Sequence, residues 1–147
     1  MRLAHISLLL LTLSGAPATA DETGKALFVD SCSGCHQLEG AGQAGLAPPL
    51  TDKALWSGLG PRSSDYIAGV MIGGLTGTIT AGGQKFIGLA MPPQDWMTDE
   101  ELKAVADYVL NDLNGLTLEV SDETLAAARQ SPPSHADLRA IRKEAIQ

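Results

Sequence analysis

The stretch DSCSGCHQLEG, Asp30 to Gly40, holds both cysteines of the chain, Cys32 and Cys35, with His36 directly after the second. Two thiols one helical turn apart beside an imidazole can serve several chemistries. A disulfide between them would close a tiny ring and constrain little of the unfolded chain. A thiol-redox pair belongs where a strand meets a helix in a βαβ setting, and no such alternation is present in the sequence. Zinc wants four ligands, and beyond the N-terminal segment discussed below only His36 and His135 could join the thiols. The spacing suits covalent attachment of a c-type haem. Each thiol can form a thioether to a vinyl group, and the adjoining histidine then lies under the iron as proximal ligand. Ser33 and Gly34 are small, so the macrocycle can approach the helix closely.

Composition agrees with a cofactor in the core. Aromatics make up only 4% of the chain, which is thin for a self-sufficient interior. A buried apolar macrocycle would supply the missing surface. The first twenty residues run from basic Arg2 through the apolar run Ile6 to Leu13 to Ala18-Thr19-Ala20, a small-x-small pattern. That order reads as a secretory signal peptide over residues 1–20, cleaved after Ala20, and places the protein in the periplasm. The run falls short of the ~20 apolar residues that span a bilayer, so no transmembrane segment is expected in the mature chain. The formal charge is −7, and −8 once Arg2 leaves with the signal segment. Nucleic acid is excluded as a partner by so acidic a balance.

The elements that must position these residues are helices joined by long irregular segments. Residues from Thr23 to about Cys35 read as a first helix, and Gln37 to Gly60 as a loop region rich in Gly, Ala and Pro. A second helix runs from Asp65 to about Ile72 and stops at Gly73-Gly74. Ile79 and Phe86 are placed to pair across a Gly82-Gly83 hairpin turn. In TDEELKAVADYVLNDLNG, Thr98 and Glu101 form a capping box, and acidic residues fill the first turn. Leu102, Val105, Ala106, Val109, Leu110 and Leu113 follow at helical spacing, and Gly115 is placed to end the helix. Residues 115–147, carrying SDETLAAARQ and SHADLRAIRKEAIQ, read as a peripheral helical tail covering a domain that spans 21–114.

With CSGCH, APPL and AMPP in this order, the chain from Thr23 to about Asn114 resembles a monohaem class I cytochrome c. The resemblance implies an all-α fold whose first and last core helices cross near the attachment site, with one haem c held through Cys32 and Cys35. Gly24 and Phe28 match the family's first-helix pattern, and Tyr108 the aromatic of its last helix. PPLTDKALWSG and GGLTGTITAGGQKFIGLAMPP resemble, more specifically, cytochrome domains that serve periplasmic dehydrogenases, with a small β-hairpin before the axial methionine loop.

Candidates for the sixth iron ligand are Met71, Met91, Met97 and His135. Met71 lies in an apolar helix, Met97 precedes the Thr98 cap, and His135 sits in the polar tail. Met91 is expected in an irregular loop fixed by Pro92 and Pro93, and its separation from His36 resembles the family's. The metal ligands are therefore expected to be His36 and Met91. The family's histidine donates to a proline carbonyl in the following loop, which here points to Pro48. Trp56 can donate to a haem propionate or serve as an ordinary core aromatic.

Two occupied axial positions leave no open site for substrate, which favours a non-catalytic electron carrier. The expected partners are redox proteins, an upstream dehydrogenase and a downstream cytochrome or oxidase. The alternative is a haem subunit of a periplasmic dehydrogenase complex, with the tail as docking element. A haem enzyme or ligand sensor would require Met91 to leave the iron.

Overall fold

The computed structural model describes residues 20–147. The expected signal segment therefore lies outside the described residues, apart from Ala20. Seven α-helices and one hairpin are described: α1 Ala20–Ser31, α2 Ser33–His36, α3 Lys53–Leu59, α4 Ser63–Gly73, β1 Leu75–Ala81, β2 Gln84–Met91, α5 Asp99–Asp107, α6 Asp122–Gln130 and α7 His135–Ala145. The mostly helical architecture with one small hairpin is the one that the resemblance implies.

The first helix breaks at Cys32, earlier than the sequence suggests. The amides of Cys35 and His36 both donate to the Cys32 carbonyl, at 3.2 and 2.9 Å, so a tight new turn starts at the first thiol. That turn carries CSGCH as a unit.

α1 crosses α5 at Gly24, where a Cβ would collide with the Ala104 carbonyl oxygen and come within 3.2 Å of Tyr108 Cβ. Only a residue without a side chain allows this approach. One turn on, the fully buried Phe28 meets the Tyr108 ring, with centroids 5.3 Å apart and planes tilted by 53°. Offset aromatic pairs of this kind add about 0.5–1.5 kcal/mol beyond their area.

α5 begins with both halves of its capping box. Glu101 N–H donates to Thr98 Oγ1 at 3.2 Å, and Thr98 N–H donates to Glu101 Oε2 at 2.9 Å. The helix continues beyond Asp107 as a π-helical turn over Tyr108–Asp112, closed by Leu113 N–H donating to Tyr108 O at 3.0 Å. Gly115 follows at φ +67° and ends it.

The hairpin has the expected register. Ile79 pairs with Phe86 and Ala81 with Gln84, around a Gly82-Gly83 turn in which both φ angles are positive. Its strands are longer than the sequence suggests, and Met91 is the last residue of β2, paired with Leu75, instead of lying in an irregular loop. The region expected as loop from Gln37 to Gly60 contains α3, capped by Asp52, whose Oδ1 accepts from Leu55 N–H at 3.4 Å.

The tail folds back on this frame. α6 lies on α4, and α7 lies on α3 and β1. Leu125 and Leu138 are 0% and 1% exposed, and with Val120 they belong to the same buried cluster as Phe28 and Leu102. Close approaches fix its path: a Cβ on Gly58 would strike the Ala145 carbonyl, and one on Gly69 would lie 3.1 Å from Pro133 Cγ.

Candidate functional site

α1 and α2, the loop before α3, α4 and the end of β2 surround one cleft enclosing about 1220 Å³ including its open mouth. It brings together all six residues singled out from sequence: Cys32, Cys35, His36, Pro48, Trp56 and Met91. The rest of its wall is mostly apolar, with Phe28, Leu55, Ile67 and Val109 among the lining side chains. A largely apolar cleft with a few convergent polar groups is the usual form of a cofactor site.

His36 is buried, and its Nδ1 lies 3.1 Å from the Pro48 carbonyl oxygen. A carbonyl can only accept, so Nδ1 carries the hydrogen and Nε2 keeps its lone pair. Proline fixes φ and holds that acceptor still. Burial lowers the His36 pKa from its usual value, opposed by the bond to Pro48. The neutral ring is the form that binds a metal.

The thiols are not joined to each other. Burial first, and then the neighbouring Cys35, push the Cys32 thiol up to about 11. Catalytic redox cysteines need the opposite, a depressed pKa that makes the thiolate available. The environment of Cys32 thus weighs against thiol exchange.

Met71 shares the cleft with Met91, whereas Met97 and His135 do not line it. Met71 sits within α4, 6% exposed and packed into the core, with its own carbonyl accepting from Gln94 N–H at 2.7 Å. Met91 is only partly buried and stands at the strand end. Trp56 also lines the cleft, but its indole N–H donates to Leu50 O at 2.7 Å, and its ring meets Tyr66 edge-on at 6.3 Å.

Arg142 of the tail lines the same cleft. Sequence reading passed over it because an arginine within AIRKEAIQ looks solvated. Its one signal is position: Arg142 follows Leu138 by four residues and so shares that buried residue's face of α7.

The donor set is two thiols, a neutral imidazole with a free Nε2 and a thioether, in an apolar cleft. It fits a covalently bound haem. Residues 22–112 match the family model described as Cytochrome c. The chain belongs to the cytochrome c family. It is 31% identical over 103 residues to a cytochrome c-552 of Thermus thermophilus, covering 70% of this chain and 68% of that protein. A second Thermus thermophilus cytochrome c-552 is 33% identical over 78 residues, covering 53% of this chain and 59% of its own length. Family membership implies one covalently attached haem c and a role in haem-based electron transfer. No helix among the described residues is long and apolar enough to cross a membrane.

Proposed function

We propose that this cytochrome is a periplasmic carrier that takes one electron from an upstream dehydrogenase and passes it to a downstream cytochrome or oxidase. Cys32 and Cys35 would anchor the haem, and His36 and Met91 would hold its iron. A bound haem would supply one-electron chemistry between Fe(III) and Fe(II). The observation that carries the reading is the position of His36, buried in the cleft it shares with Met91 and with Nδ1 engaged by Pro48.

The protein's own part is to hold these groups still and dry. Pro48 fixes the plane and tautomer of His36. The Leu75–Met91 pairing and the crowding at Gly74, where a Cβ would lie 2.6 Å from Met91 O, fix the backbone of the thioether residue. Thioether ligation favours the reduced state and raises the potential relative to a second histidine.

The test is Met91→Ala in the full chain. Sulfur ligation gives the ferric protein a weak far-red absorption band, which should vanish in the variant while the covalent haem colour survives a denaturing gel. Persistence of the band would move the sixth ligand to Met71. A colourless protein from a host able to attach haem would end the reading altogether.

A further inference from the structure

Arg142 and Asp52 form an ion pair, Nη2 to Oδ2 at 3.1 Å, with both side chains 6% exposed. Asp52 has other work: its two oxygens also accept from Leu55 N–H and, at 3.2 Å, from Gly82 N–H, joining α3 to the hairpin turn. Arg142 Nε donates to Thr80 O at 3.0 Å. A guanidinium has five N–H donors in a rigid planar fork. Among the described residues Arg142 donates only to Thr80 and Asp52. Its remaining terminal nitrogen, Nη1, makes no hydrogen bond among the described residues, and Arg142 is one of the residues that line the cleft.

The group that fills the cleft carries two carboxylates on its edge, and these are its only anionic groups. Arginine pairs with carboxylates through two parallel hydrogen bonds, the strongest neutralisation a side chain offers. The other donor that the sequence suggests for this task, Trp56, already donates to Leu50 O.

We propose that Arg142 binds a haem carboxylate, so that the tail, which lies beyond the residues matched by the family model, completes the haem site and sets its potential. Reduction adds one negative charge at the iron. A cation that neutralises a haem carboxylate in a poorly solvated cleft favours the reduced state. Asp52 holds the fork in place from behind, and Thr80 O sets its plane. The proposal rests on the haem occupying this cleft. A loss of His/Met ligation would appear in the absorption spectrum, whereas a failure of the present proposal appears only in the potential.

The experiment is redox titration of the full-length haem protein with Arg142→Gln, Arg142→Lys and the double variant Asp52→Asn/Arg142→Gln. With the spectrum unchanged, Arg142→Gln should shift the ferrous-to-ferric ratio at fixed potential about tenfold toward ferric, equivalent to about 59 mV for one electron. Arg142→Lys, which keeps the charge, should recover much of the shift. The double variant decides between roles. If Arg142 serves only to neutralise Asp52, removing both restores the wild-type potential, and the proposal fails. If it binds the haem carboxylate, the double variant stays shifted by at least threefold. Should Arg142→Gln not accumulate, the double variant, which has no lone buried carboxylate, supports the same comparison.

Discussion

Arg129 on α6 reaches across to the carbonyl of Met97, its Nη2 donating at 2.7 Å, six residues after the proposed iron ligand Met91. The same side chain donates to Asp95 O at 2.9 Å and to Asp99 Oδ1 at 2.8 Å. One tail arginine thus holds the segment between β2 and α5 at two points and the first residue of α5 at a third. Arg129→Ala should cost about 1–2 kcal/mol, below the sum of three charge-assisted bonds because the site is partly exposed. Leu125→Ala, at a fully buried position, should cost about 2–5 kcal/mol. Chemical denaturation followed by far-ultraviolet circular dichroism measures both. If both changes fall below about 0.5 kcal/mol, the tail is a detachable cover.

That result bears on what the sequence can disclose. CSGCH, the Thr98 capping box and the Gly82-Gly83 hairpin are local signals, each complete within a few residues, and each has its counterpart in the structure. The tail's attachment is not local. α6 buries Leu125 and Ala128, and α7 buries Leu138 and Arg142, and nothing within either short helix says which distant surface that face covers. α3 is hidden for a related reason. Its Gly58 reads as a breaker, yet it is needed where the Ala145 carbonyl packs against it. The π-helical turn at Tyr108 likewise has no signature in the spacing of Val105, Val109 and Leu113.

The α1–α5 crossing makes a sharp forecast for Gly24. A single methyl group there meets the backbone of Ala104, which cannot rotate away as a side chain could. Gly24→Ala should therefore act as overpacking, with a cost of about 1–3 kcal/mol, in spite of alanine's better helix propensity. Thermal unfolding of the haem-loaded variant reads this. Stabilisation would mean that the helices cross elsewhere.

Asp107 provides the pH test. Burial, followed by the nearby Glu119, raises its pKa above the usual carboxylate value, and its Oδ1 is buried without a hydrogen-bond partner. The folded protein then holds this proton more tightly than the unfolded chain. Stability from this group falls as pH rises from the ordinary carboxylate pKa through the raised folded one, and the deficit is complete at neutral pH. Asp107→Asn should stabilise the protein at pH 7, by less than about 1 kcal/mol because the residue is only partly buried. The gain should disappear below the ordinary carboxylate pKa. An equal gain at pH 3 and pH 7 would show that charge is not the cause.

Partner docking follows from where the charges lie. From Gly24 to Pro93, the segment that contains His36 and Met91, four basic and four acidic residues cancel, and the acidic excess lies mainly beyond it. Within that segment Asp52 is buried beside Arg142 and so presents no charge at the surface. The cleft wall includes Leu46, which is 46% exposed and so belongs to its rim, and Ile87 on the hairpin is 76% exposed. A surface of this kind favours a small, apolar redox contact over a charged one. Electrostatic steering works through charges near the contact and is screened beyond ~10 Å at 0.1 M salt. The second-order electron-transfer rate with the physiological partner should therefore fall less than about tenfold from roughly 10 to 300 mM salt. Leu46→Asp should slow the reaction at every salt concentration without changing the absorption spectrum. A steep salt dependence in the wild-type protein would instead place the partner against the acidic residues that lie beyond Pro93.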